Sequence, residues 1–195
     1  YGVGNLFSLK TALEKKGAKV KIRNEVPLKD EVDGMILPGV GSFQVAAKKL
    51  TLSRKRIEAL LEAGIPVLGV CLGMQLFFDR SVEGTGKGLA LIGGDVLRLP
   101  SSVKVPHMGW NTIRIARENE FVDGVENNSW VYFVHSYYPN PLDNSVKVAD
   151  TEYGVSFPSI VAKDNLYGTQ FHPEKSSKTG TRIIENFISI CRRGS

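Results

Sequence analysis

Along the first part of the chain, apolar positions recur first at helical spacing and then in short unbroken runs. Leu6, Leu9 and Leu13 fall on one helical face, with Asn5 placed to cap the helix and Gly17 to end it. Residues 18–22 read as a strand and 35–37 as a buried strand. Ile57, Leu60 and Leu61 mark a helix face running through Ala63. Residues 66–70 form another buried strand that passes directly into a helix over 72–78. Continuous apolar strands alternating with helices predict a parallel sheet covered on both faces. From about Gly94 the texture becomes a series of short β segments, at 96–99, 112–115, 130–134, 146–149, 160–162 and 166–169. A last helix carries the stripe Ile183, Ile184, Phe187, Ile188 and Cys191. The expected class is therefore α/β: a doubly wound, mostly parallel sheet followed by a β-rich second half.

Composition narrows this picture without changing it. The 195 residues are 42% hydrophobic and 23% charged, which suits one folded domain over 1–195 and argues against disorder. No linker, repeat or low-complexity tract divides the chain. The richest apolar stretch, 65–74, is broken by Pro66, Gly69 and Gly73 and falls well short of the ~18 residues a membrane span requires. Net charge is +5, but Lys and Arg are scattered apart from Lys48-Lys49 and Arg54-Lys55-Arg56, so no nucleic-acid partner is expected. Two distant cysteines make no disulfide framework, and the N-terminal residues carry no secretion signal. A reducing, cytoplasmic setting is the expectation.

The run Gly69-Val70-Cys71-Leu72-Gly73-Met74-Gln75 carries the strongest chemical signal. A strand entering a helix at once forces its junction residue into a tight turn, and glycines two before and two after Cys71 clear side chains from it. This is the logic of a nucleophile elbow with sulfur in place of hydroxyl. Such a turn exposes the sulfur at the carboxyl end of a strand and at a helix N-terminus, where partial positive charge favours thiolate. A buried small Cys with incidental glycines is the competing reading. Cys191, on an apolar stripe, is assigned to packing.

A thiolate that expels a leaving group needs a proton donor. Of His107, His135 and His172, the last stands in Phe171-His172-Pro173-Glu174, where proline stiffens the backbone and Glu174 can orient the imidazole. Glycines around Val40 in Pro38-Gly39-Val40-Gly41 free a peptide to present N–H groups. With the Leu72 amide, that of Val40 makes a plausible oxyanion site. No metal and no cofactor is expected.

These segments, in this order, resemble the class I, triad-type glutamine amidotransferases, over nearly the whole chain. The resemblance implies a Cys71-His172-Glu174 triad that hydrolyses L-glutamine through a glutamyl thioester. It implies that Gly39, Gly41, Gln75, Glu83, Ser136 and Tyr137 surround the substrate, with Glu83 on the α-ammonium and backbone near Ser136 and Tyr137 on the carboxylate. Further segments resemble one branch of that family: Tyr1-Gly2-Val3-Gly4-Asn5, Pro106-His107-Met108-Gly109-Trp110-Asn111, Tyr132-Phe133-Val134-His135-Ser136-Tyr137 and His172-Pro173-Glu174-Lys175. That branch implies a heterodimer with a (β/α)8-barrel cyclase that receives ammonia in histidine biosynthesis, with Asn5, Trp110 and Lys175 at the interface. It also implies a strand ahead of Tyr1, and the Val40 peptide, free to turn between two glycines, is the expected switch that moves its N–H into the oxyanion site when the cyclase is liganded. Rival readings are a subunit of anthranilate or aminodeoxychorismate synthase, a silent partner-binding scaffold, and a cysteine peptidase.

Overall fold

The computed structural model describes residues 3–39 and 41–193. Helix α1 (Val3–Glu14) leads through a turn closed by Gly17 (φ +82°) to β1 (Met35–Leu37). Then come α2 (Phe43–Thr51), α3 (Arg54–Glu62), β2 (Val67–Val70), α4 (Leu72–Gln75), β3 (Arg80–Ser81) and β4 (Gly94–Arg98). The second half holds β5 (His107–Ile115), β6 (Ser129–His135), β7 (Tyr137–Pro141), β8 (Lys147–Glu152), β9 (Ser156–Lys163), β10 (Leu166–Thr169) and α5 (Ser177–Arg193).

Among the described residues a seven-stranded sheet runs in the order β1-β2-β10-β9-β8-β5-β6, and β3-β4-β7 form a small second sheet. Strands β1, β2 and β10 are parallel, whereas each later pairing in the large sheet is antiparallel. The fold is thus α/β, parallel where the nucleophile sits and antiparallel through the β-rich half. Strand β2 shows why its sequence is unbroken apolar. Val67 packs with Phe43, Ile57 and Leu60 from α2 and α3, while Leu68 and Val70 join Leu9, Leu13, Ile183 and Ile184 from α1 and α5. Alternate residues of a strand face opposite ways, and here both faces are covered by helices.

Three expectations change in the structure. Residues 18–22 pair with no strand among the described residues, and an extended segment without a ladder partner is not a strand. Helix α1 begins at Val3, which puts Asn5 inside its first turn and not at the cap. Helix α4 stops at Gln75, and residues 76–78 continue as a turn and a bend. No helix among the described residues is long and apolar enough to cross a membrane.

Candidate active site

The junction between β2 and α4 is built by close backbone approach. A Cβ on Gly69 would lie 2.6 Å from the Gly73 carbonyl carbon and the Met74 nitrogen, and one on Gly73 would collide with the Leu37 carbonyl. Only hydrogen fits at either position, so the helix can start immediately after the strand. Cys71 absorbs the change of direction with φ 54° and ψ −110°, a conformation that costs a non-glycine residue about 1–3 kcal/mol and is characteristic of functional turns. Its own N–H is tied to the Thr169 carbonyl at 2.7 Å, which couples the elbow to β10.

Because β10 runs parallel beside β2, the residues that leave it arrive next to the sulfur. Gln170 Nε2 donates to Cys71 Sγ at 3.6 Å, and the thiol lies 3.7 Å from the Val134 carbonyl. His172, 5% exposed, stands near enough to Cys71 for the sulfur to favour its charged form. On its other edge His172 Nδ1 meets Glu174 Oε1 at 3.0 Å. An ionised carboxylate only accepts, so Nδ1 carries the proton and Nε2 is left for sulfur. The Glu174 side chain is 1% exposed, placing its charge on the imidazole with little solvent between. Burial by itself pulls the His172 pKa down. Hydrogen bonding and Coulombic attraction from Cys71 and Glu174 outweigh that effect and lift it to about 9.

The other expected residues fall as follows. Gly39 runs against the elbow, since a Cβ there would lie 2.9 Å from the Leu72 nitrogen. Gly41 is exposed with φ +82°. Val40, with its oxyanion role and its switch, lies outside the described residues. Gln75 is buried and its amide nitrogen is engaged twice: Nε2 donates to the Tyr137 carbonyl at 2.8 Å and to Gln170 Oε1 at 3.0 Å. Exposed Glu83 accepts from the Phe43 N–H at 3.0 Å, capping α2 just after the 39–42 segment. Ser136 and Tyr137 are half-buried where β6 passes into β7, and Leu99 N–H holds the Ser136 carbonyl at 3.0 Å. Trp110, half exposed, rests edge-on against Tyr132, whose carbonyl accepts from His172 N–H and whose N–H reaches Ser176 Oγ. Lys175 is exposed one residue beyond Glu174. The Asn5 side chain lies outside the described residues. Cys191 packs among apolar groups at Gly34, where burial, the largest effect, pushes its thiol pKa up to about 12. Neither cysteine is in a disulfide.

Sequence reasoning missed Gln170, although period-2 alternation in the run 168–172 places it on the same side as His172. It also left His107 and His135 without a role.

A thiol at a strand-to-helix elbow, an imidazole near it and a carboxylate hydrogen-bonded to that imidazole lie together at the end of the parallel strands. Residues 1–191 match the family described as glutamine amidotransferase class-I, and the chain belongs to that family. At finer grain, it is 52% identical over 195 residues to imidazole glycerol phosphate synthase subunit HisH of Archaeoglobus fulgidus, covering 99% of this chain and 97% of that one. The subunit of the same name from Methanocaldococcus jannaschii is 46% identical, over 97% of this chain and 96% of its own. Among solved structures, PurLQS from Thermotoga maritima superposes with a TM-score of 0.75 at 20% identity, covering 94% of this chain and 91% of that one, a likeness of fold alone.

Proposed function

We propose that this chain is the glutaminase subunit of an imidazole glycerol phosphate synthase, releasing ammonia from L-glutamine for a (β/α)8-barrel cyclase in histidine biosynthesis. The observation that carries the chemistry is His172, at the end of β10, held by Glu174 at 3.0 Å and drawn toward its charged form by Cys71 at the end of β2. In this reading Cys71 sulfur attacks the carboxamide carbon, and the oxyanion is held by the Leu72 and Val40 amides. Protonated His172 gives its proton to the departing ammonia, leaving a glutamyl thioester. The imidazole then takes a proton from water, whose oxygen attacks the thioester and frees glutamate and thiol. Glu174 stabilises the imidazolium present before ammonia departs and formed again when water gives up its proton.

Substrate contacts are assigned to Gly39, Gly41, Gln75, Glu83, Ser136 and Tyr137, and the partner face to Asn5, Trp110 and Lys175. Trp110 touches Tyr132, and the Tyr132 backbone holds His172 and Ser176, so the proposed docking face abuts the triad. Two unbridged cysteines suit a reducing, cytoplasmic setting.

Glutamine turnover is to be measured for the chain alone, with the cyclase, and with cyclase and its nucleotide substrate. Slow turnover alone that rises with the liganded partner is expected. Fast unassisted turnover would sink the coupling, and activation by a chorismate-using synthase instead would move the chain to another complex. A Cys71 inert to a glutamine-like electrophile, with partner binding intact, would leave only a scaffold.

A further inference from the structure

Two buried histidines outside the triad face one another across β5 and β6, and their hydrogen bonds admit one arrangement of protons. His135 Nδ1 lies 2.9 Å from the Tyr137 carbonyl, which can only accept, so Nδ1 of His135 must donate. Its Nε2 is then bare and accepts from His107 Nδ1 at 3.0 Å. That leaves His107 Nε2 as an acceptor, facing the Asn111 amide nitrogen at 3.4 Å. Asn111 is itself oriented by donating to the Glu152 carbonyl at 3.0 Å and accepting from Thr112 N–H at 2.8 Å. Each link fixes the polarity of the next.

The surroundings keep both rings uncharged and in place. His107 is stacked between Phe133 (centroids 4.7 Å apart) and Tyr153 (3.9 Å), and His135 stands edge-on to Phe157 at 5.0 Å. Burial drives the pKa of His107 down to about 4 and that of His135 to about 3. On the far side, the same Tyr137 carbonyl takes a second hydrogen bond from Gln75, whose amide also grips Gln170, which in turn reaches the sulfur. The series therefore joins β5, the strand of Trp110, to the nucleophile.

We infer that His107 and His135 are positioning residues, a single-tautomer relay that fixes the Tyr137 carbonyl and with it the Ser136–Tyr137 backbone that receives the carboxylate of glutamine. The identity of the ligand rests on the glutaminase reading given above. The relay touches no reacting atom, and its effect belongs to substrate binding more than to the chemical step. Chains of buried hydrogen bonds reinforce one another, and an acceptor deprived of its donor in such a place is costly, so one break propagates.

The experiment compares wild type, His107→Phe and His107→Asn in the full chain with cyclase and its ligand present. Phenylalanine keeps the aromatic stack and deletes the donor, whereas asparagine keeps a donor near the position of Nδ1. KM for glutamine is expected to rise about tenfold in His107→Phe with kcat within about threefold, and His107→Asn to recover most of the loss. An unchanged KM in His107→Phe, or an asparagine variant no better than phenylalanine, would overturn the relay. Nitrogen-15 spectra of the wild-type histidines give a second readout that does not depend on how the variants fold. Both His107 and His135 are expected with the proton on Nδ1 and a bare Nε2, and a proton on His135 Nε2 would overturn the proposal. A wild type without turnover would instead sink the glutaminase reading, since the tautomers are read separately.

Discussion

Two opposing effects meet on the imidazole of His172. Burial disfavours its cation, while the sulfur of Cys71 and the carboxylate of Glu174 favour it, and the pair of partners wins. Its folded pKa, about 9, therefore lies above the ordinary histidine value, and the sign of the stability effect follows. The stabilisation is fully present below about pH 6.5 and is lost as pH rises through about 9. Urea unfolding of wild type and His172→Gln at pH 6 and pH 10 should show wild type losing on the order of 2 kcal/mol more than the variant across that interval. In the presence of its partner, glutamine turnover should fall on the alkaline side near pH 9 as the proton donor is lost, which a pH–rate profile checks. Glu174→Gln keeps the shape of the site and removes the charge behind the ring. It should lower kcat by about 10²–10⁴ while leaving the circular dichroism spectrum unchanged.

At the scale of elements, the elbow is a geometric demand on residues well apart in sequence. The Leu37 carbonyl leaves no room for a methyl at residue 73, so Gly73→Ala must shift backbone against backbone. A loss of about 3 kcal/mol in chemical denaturation is expected, together with slower labelling of Cys71. A second joint ties β6 to the turn Pro173–Lys175: buried Ser176 Oγ accepts from Tyr132 N–H at 2.9 Å and donates to the His172 carbonyl at 2.7 Å. Ser176→Ala strands both groups and should cost about 1–3 kcal/mol in the same measurement.

Some elements were legible and others were not, for identifiable reasons. Strand β10 and the start of α4 follow from local signals, an apolar run and paired glycines. Strand β7 (Tyr137–Pro141) contains two prolines and has no alternating pattern, and it forms because β4 lies alongside. Residues 18–22 have the residue types of a strand and no partner among the described residues. Pairing, not propensity, decides such segments.

For the molecule as a whole, the sheet changes character along its width, and each part has its use. The parallel strands β1, β2 and β10 present their carboxyl ends together and so gather Cys71 and His172, while the antiparallel strands β5 and β6 carry Trp110 and the paired histidines beside them. A half-exposed tryptophan next to the triad is suited to anchor a partner. Trp110→Ala should weaken cyclase binding at least about tenfold in calorimetry, with labelling of Cys71 by a glutamine-like electrophile unchanged in the isolated chain.

By itself, the sequence determined the local chemistry: glycines that clear a turn around Cys71, a proline that stiffens His172 and Glu174 into one unit, and apolar runs that must be buried on two faces. Each of these depends on neighbours within a few positions. Only the tertiary structure decided which distant groups would meet. Gln75 and Gln170 are 95 residues apart, Cys71 and the Val134 carbonyl 63, and His107 and His135 28. Their polarity is set by strand register and by the requirement that every buried donor find an acceptor, and that requirement can be met only after the sheet has closed around them.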